Sequence, residues 1–141
     1  MGEARKTLDK LTAAYFSGDT EAAKKIYADD AIGVAPDGQE LKGPDEILDW
    51  MSVFFNAFPD AKYESIAKYE SGNVAIDEGL FIGTNSGPLQ TPTGEELPPT
   101  GRRISVRGAD VVTVSKGRVT NHHFYFDQMS MMAQLGLMPQ G

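Results

Sequence analysis

Apolar residues recur every three or four positions in the first third of the chain and every second position in the last two thirds. Leu8, Leu11, Ala14 and Tyr15 form such a helical stripe within residues 3–17, and Gly18 is placed to end it. Asp19 and Thr20 are capping residues for a second helix over roughly 20–28, with Ala22, Ala23, Ile26 and Tyr27 inward. Ala31-Ile-Gly-Val-Ala35 reads as a short strand closed by the turn Pro36-Asp-Gly38. Gly43-Pro44 opens a third helix, where a first-turn proline loses no hydrogen bond. Its apolar positions Ile47, Leu48, Met51, Phe54, Phe55 and Phe58 fall nearly on one face, and Pro59 stops it.

After Pro59 the period becomes two. Segments near 61–70, 73–85, 102–115 and 118–126 read as strands, separated by Ser71-Gly72-Asn73, a Pro/Gly-rich loop at 86–101, and Ser115-Lys-Gly-Arg118. Helices followed by long hairpin-linked strands predict an α+β fold, with N-terminal helices packed on one face of a curved antiparallel sheet. With 141 residues and no internal repeat, one domain over 1–141 is expected.

Composition narrows the partners. A net charge of −7 and a pI near 4.7 argue against nucleic acid or an anionic membrane surface, both of which need a positive face. The N-terminal residues carry no apolar signal segment and no long apolar run follows, so a cytoplasmic location is expected. The absence of cysteine removes disulfides, thiol nucleophiles and thiolate metal sites.

The chemistry concentrates in the last quarter, where the strand Gly117-Arg-Val-Thr-Asn-His-His-Phe-Tyr-Phe126 ends on Asp127 and an apolar helix follows. If Lys116-Gly117 is a two-residue hairpin loop, Ser115 faces Arg118, Val114 faces Val119, Val112 faces Asn121, Asp110 faces His123 and Gly108 faces Tyr125. Alternation then puts Asp110, Asn121, His123, Tyr125 and Asp127 in one strip, with Asp110 placed to orient the His123 imidazole and favour its charged form. A bulge in either strand breaks that cross-strand pair.

A carboxylate leaving an apolar strand either loses water, which raises its pKa into the proton-trading range, or finds a partner. Asp127 is therefore a candidate acid–base residue, and equally a candidate N-cap for the helix after it. A metal site is not expected, because His122 and His123 point to opposite faces. Asp29-Asp30 and Asp77-Glu78 read as solvated charges, and Met129, Met131 and Met132 as core or lid filling.

Gly43-Pro-Asp-Glu-Ile47, Ala57-Phe-Pro-Asp60, Gly83-Thr-Asn-Ser-Gly87-Pro88, the turn at Gly117, and Tyr125-Phe-Asp127 followed by Gln134-Leu-Gly136 occur in an order and spacing that span roughly 5–138. With these pieces the chain resembles the SnoaL-like polyketide cyclases of the nuclear-transport-factor-2-like superfamily. The resemblance implies a cone-shaped fold with a deep apolar pocket, in a homodimer or larger assembly. It also implies intramolecular aldol ring closure without metal or cofactor, with the aspartate at position 127 as the acid–base residue. Many relatives carry His where this chain has Asn85, and an aromatic residue where it has His123. Both differences are expected to make the pocket more polar.

The combined expectation is a cofactor-independent cyclase acting on a small apolar carbonyl compound. Asp127 takes and returns the proton, and His123, held by Asp110, stabilises enolate charge. Tyr125 and Asn121 add hydrogen bonds, and Tyr15, Trp50, Phe54, Phe55, Phe58 and Phe81 form the apolar wall. The alternatives are a non-catalytic small-molecule-binding protein, suggested by Asn85 and His123, and an isomerase or epoxide hydrolase of the same fold. Leu135-Gly-Leu-Met-Pro139 is either a lid or a dimer contact.

Overall fold

A computed structural model describes residues 2–91 and 93–137. Met138 and Pro139, at the end of the expected lid or dimer segment, lie outside the described residues. The helices are α1 (Glu3–Ser17), α2 (Thr20–Ile26), α3 (Gly43–Ala57) and α4 (Gln128–Gln134). The long strands are β1 (Tyr27–Val34), β3 (Lys62–Ser71), β4 (Val74–Thr84), β7 (Arg103–Ser115) and β8 (Arg118–Phe126). Three short strands complete the set: β2 (Glu40–Lys42), β5 (Leu89–Gln90) and β6 (Glu96–Leu97). The main sheet is curved and unclosed, in the order β2-β1-β8-β7-β4-β3. Every pairing in it is antiparallel except β1 with β8, which is parallel.

Local chemistry sets the ends of these elements. Gly18 takes the left-handed conformation at φ 78° and its N–H closes back on Tyr15, so α1 stops where the stripe stops. Gly2, the residue capping α1, has no side chain to offer. The Glu70 carboxylate of β3 accepts from the N–H groups of Gly2 and Arg5 instead, each at 2.9 Å. Asp19 caps α2 by accepting from the Ala22 N–H at 3.0 Å. Lys116 and Gly117 both have positive φ, at 53° and 75°, as a two-residue hairpin loop requires.

The buried apolar residues form two clusters. One joins α1 and α2 to the sheet through Leu8, Leu11, Tyr27, Val112 and Val119. The other gathers the end of α3, β7 and α4 around Phe58, Ile104, Val106, Met131 and Leu135. Between them α3 is incompletely packed. Only Ile47 and Ala57 of that helix are fully buried, and Trp50, Met51, Phe54 and Phe55 stay half-buried. An aromatic face that does not close on its neighbours marks a cavity.

Two sequence readings change here. Asp77 is not a solvated charge: it is 2% exposed and paired with Arg5 of α1 at 2.6 Å. The loop at 86–101 contains the hairpin β5–β6, which Asn85 anchors. The Asn85 amide donates to the carbonyls of Ala57 (3.2 Å) and Gly87 (2.8 Å), and its oxygen accepts from Thr100 N and Oγ1, both at 2.9 Å. A Cβ at Gly87 would overlap the Asn56 carbonyl oxygen. The Gly83–Gly87 motif therefore docks a loop on the end of α3, and Asn85 takes no part in the cavity.

Candidate active site

The cavity lies between α1, α3 and the concave side of the sheet, with a volume of about 100 Å³. Trp50 and Phe54 from α3, Tyr15 and Phe16 from α1, and Phe124 and Phe126 from β8 make its walls apolar. The rings pack edge to face and tilted: Trp50 lies 5.0 Å from Phe54 and 4.7 Å from Phe124, and Phe54 lies 5.4 Å from Phe126. Met131 of α4 closes one end, the gap-filling part expected of it, whereas Met129 is 68% exposed and fills neither core nor cavity.

One polar chain enters this apolar space. The Tyr15 hydroxyl lies 2.6 Å from that of Tyr27, which lies 2.8 Å from His122 Nδ1. His122 Nε2 lies 2.8 Å from Asp110 Oδ1. Every donor finds an acceptor if the protons run one way. Tyr15 donates to Tyr27, Tyr27 to Nδ1, and a neutral imidazole protonated on Nε2 donates to the carboxylate; this tautomer is assigned from the partners. Burial, together with the negative charge of Asp110, holds both phenols well above the ordinary tyrosine range, so they remain protonated donors. Phe124 stacks on His122 with ring centres 3.7 Å apart, fixing its plane. His122 is 2% exposed, whereas the Asp110 side chain is 28% exposed. Asp110 Oδ2 accepts no hydrogen bond among the described residues and is the oxygen left for an incoming proton.

The register reading holds for Ser115–Arg118 and Val114–Val119 and then fails. A bulge at Thr120 makes Asn121 face Thr113, His122 face Val112 and Phe124 face Asp110. The Thr120 hydroxyl donates to the Thr113 carbonyl at 3.2 Å, which fills the interrupted ladder. Beyond the bulge every β8 side chain changes face. His122 therefore takes the position expected of His123, against Asp110.

His123 turns away from the cavity, with Nδ1 3.3 Å from the Tyr125 hydroxyl. Tyr125 borders the cavity, but 52% of its surface is exposed. Asn121 does not line it; its Oδ1 lies 3.2 Å from the neighbouring Thr120 hydroxyl oxygen. Asp127 is exposed and outside the cavity; its Oδ1 accepts from the Ser130 N–H at 2.9 Å, which is the N-cap arrangement.

Of the expected wall, Tyr15, Trp50, Phe54 and Phe81 line the cavity. Phe55 stacks behind Tyr15 at 6.1 Å, and Phe58 is fully buried in the second cluster. Asp110 lines the cavity as a catalytic candidate should, while His122, Tyr27 and Tyr63 are site residues that sequence reasoning missed. Asn85 and His123, whose identities suggested a more polar pocket and a binding-only protein, are both outside it. Among the described residues no three His, Asp or Glu side chains gather as metal ligands would. No helix among them is long and apolar enough to cross a membrane.

A family profile described as SnoaL-like polyketide cyclase matches residues 5–135. The chain belongs to the SnoaL-like polyketide cyclase family. The fold of this SnoaL-like protein recurs in solved structures of low sequence identity. A protein of Jannaschia sp. CCS1, assigned as a SnoaL-like polyketide cyclase, is 17% identical with a TM-score of 0.85, covering 97% of this chain and 94% of that one. IdmH of Streptomyces antibioticus, assigned as a polyketide cyclase, is 24% identical with a TM-score of 0.81, over 96% and 99%. AclR of Streptomyces galilaeus, assigned as a hydroxylase, is 20% identical with a TM-score of 0.82, over 98% and 87%. Among curated proteins, none matches the sequence. At these identities the structural likeness establishes the nuclear-transport-factor-2-like fold alone.

Proposed function

We propose that this SnoaL-like protein catalyses intramolecular aldol ring closure of a small, polyketide-type carbonyl compound, with Asp110 as the acid–base residue. The observation that carries the reading is the hydrogen-bonded series Tyr15–Tyr27–His122–Asp110, which ends on an unengaged carboxylate oxygen in an apolar cavity.

Asp110 Oδ2 takes a proton from the carbon α to one carbonyl, leaving an enolate. The enolate carbon attacks a second carbonyl of the same molecule, one C–C bond forms, and the new alkoxide takes the proton back from Asp110. Product and substrate are isomers, and neither water nor an electron carrier enters. His122 Nε2–H holds Oδ1 throughout, so the carboxyl presents one oxygen in a fixed direction. Tyr27 and Tyr15 fix the imidazole tautomer in turn, as positioning residues. With a substrate seated, the apolar walls leave no room for water and strengthen each of these interactions. A volume of about 100 Å³ is small beside the roughly 300–1,000 Å³ of common ligand clefts, which favours a substrate that inserts one ring at a time.

The test uses 1-phenylhexane-1,5-dione, a single-ring compound whose methyl ketone carbon can close onto the aryl ketone. The protein is expected to accelerate conversion to 3-hydroxy-3-phenylcyclohexanone, a cyclic isomer of the diketone in which the reacting methyl carbon has exchanged one C–H bond for a C–C bond. Unchanged diketone after long incubation would leave the protein a binder.

A further inference from the structure

Tyr63 of β3 lines the same cavity, and its hydroxyl oxygen is buried yet meets no hydrogen-bond partner among the described residues. A buried phenol without an acceptor is costly, and such groups persist where something outside the folded chain satisfies them.

The sheet beneath this hydroxyl is bare. Gly79 of β4 pairs with Gly108 of β7, and both border the cavity. A Cβ at Gly79 would overlap Tyr63 Cζ and come within 2.6 Å of its hydroxyl oxygen, so the phenol end of the ring lies over the glycine. Asp110 stands two residues along β7 from Gly108, roughly 7 Å at the strand rise. One face therefore presents a donor, a strip of backbone without side chains, and then a carboxylate. Desolvation first, and the charges of Asp110, Asp77 and Glu78 after it, push the Tyr63 phenol above its ordinary range. The hydroxyl keeps its proton and serves as a donor.

We propose that Tyr63 contacts the substrate: its hydroxyl donates a hydrogen bond to the ketone carbonyl whose α carbon faces Asp110, and to the enolate oxygen that forms there. The enolate half of this assignment rests on the proton-transfer reading above. The donor-to-carbonyl half does not. Removal of the α proton moves negative charge onto the carbonyl oxygen, and a donor already aimed at that atom binds the enolate more strongly than the ketone.

Trp50 is the only tryptophan of the chain and lines the cavity, so its fluorescence reports occupancy. The probes are acetophenone and α-methylstyrene, two molecules of nearly one shape that differ by a carbonyl oxygen against a methylene. Wild type is expected to bind the ketone roughly 2–12-fold more tightly, the range of one net hydrogen bond. Tyr63→Phe is expected to erase that preference by weakening the ketone alone. Its melting temperature is expected to equal or exceed that of wild type, since the change removes an unpartnered polar atom. An unchanged preference in Tyr63→Phe would overturn the proposal, as would a lowered melting temperature or no quenching of wild type by either probe. Asp110→Asn separates the two readings. Ring closure that survives it refutes the acid–base assignment, while the ketone preference still reports Tyr63.

Discussion

Replacing Tyr27 by phenylalanine removes one oxygen from the middle of the Tyr15–Tyr27–His122–Asp110 series, and the structure fixes what that costs. Tyr27 is 1% exposed and its hydroxyl bonds on both sides, at 2.6 Å to Tyr15 and 2.8 Å to His122. Without it the Tyr15 O–H loses its acceptor and His122 Nδ1 loses its donor, and phenylalanine leaves no room for a bridging water. A buried polar group left unpaired costs about 1–3 kcal/mol. Tyr15 borders the cavity and can turn part of its loss onto water there, which places the total at about 2–4 kcal/mol. For a chain of this size that is a fall in Tm of about 8–15 °C.

Tyr15→Phe is milder, about 0.5–1.5 kcal/mol, because Tyr27 keeps its donation to His122. In the double variant the stranded Tyr15 hydroxyl no longer exists, so it should cost no more than Tyr27→Phe alone. The singles then overshoot the double by about 1 kcal/mol, a coupling that urea denaturation of the four proteins resolves. Strictly additive losses, or a Tyr27→Phe cost below about 0.5 kcal/mol, would refute the one-way series.

Two further predictions concern carboxylates away from the cavity, one in an ion pair and one capping a helix. Arg5→Ala strands Asp77 and is expected to cost about 3–5 kcal/mol at neutral pH. Burial already raises the Asp77 carboxyl above 3.8 against the pull of Arg5, so the folded chain holds this proton more tightly than the unfolded one. Stability gained from that proton grows as pH falls toward the unfolded value, and the cost of Arg5→Ala should shrink between pH 7 and about 4.5. Denaturation midpoints that show the loss constant or growing would contradict it. Glu70 behaves oppositely, because the N–H groups of Arg5 and Gly2 lower its carboxyl below 4.5. Its contribution is complete above that value and disappears as pH falls through the lowered one. Glu70→Gln should therefore melt below wild type at pH 7, with the gap narrowing as pH falls below 4.5, and a gap that stays constant or widens over that fall would argue against the capping role.

The framework was legible because each element carries its own local signals. The stripe Leu8-Leu11-Ala14-Tyr15 ending at Gly18, the Pro44 start and Pro59 stop of α3, and the positive-φ pair Lys116-Gly117 need no distant partner to be read. The site depended on two things that sequence periodicity does not carry. One is the bulge at Thr120, which moved His122 rather than His123 against Asp110. A trace of it was present: Val119 and Phe124 are an odd number of positions apart, so a regular strand cannot bury both. The other is the parallel pairing of β1 with β8, which brings Tyr27 to His122 across 95 residues. Read as the inward end of a helix, Tyr27 carried no hint of that neighbour. Asp127 kept two readings for a related reason. A strand-end aspartate before a helix has the same sequence signature whether it caps or catalyses, and only burial separates the two.

The central claim is that the working carboxylate is Asp110 inside the cavity and not Asp127 outside it. Asn replaces either aspartate with little change of shape and still caps a helix, so neither variant is expected to unfold the protein. The measurement is the rate of 1-phenylhexane-1,5-dione ring closure by Asp110→Asn and Asp127→Asn beside wild type. The account predicts a loss of about 10²–10⁴-fold for Asp110→Asn, the range of a general acid–base residue, and a rate within about threefold of wild type for Asp127→Asn. The reverse pattern, with Asp110→Asn near wild type and Asp127→Asn inactive, would contradict it.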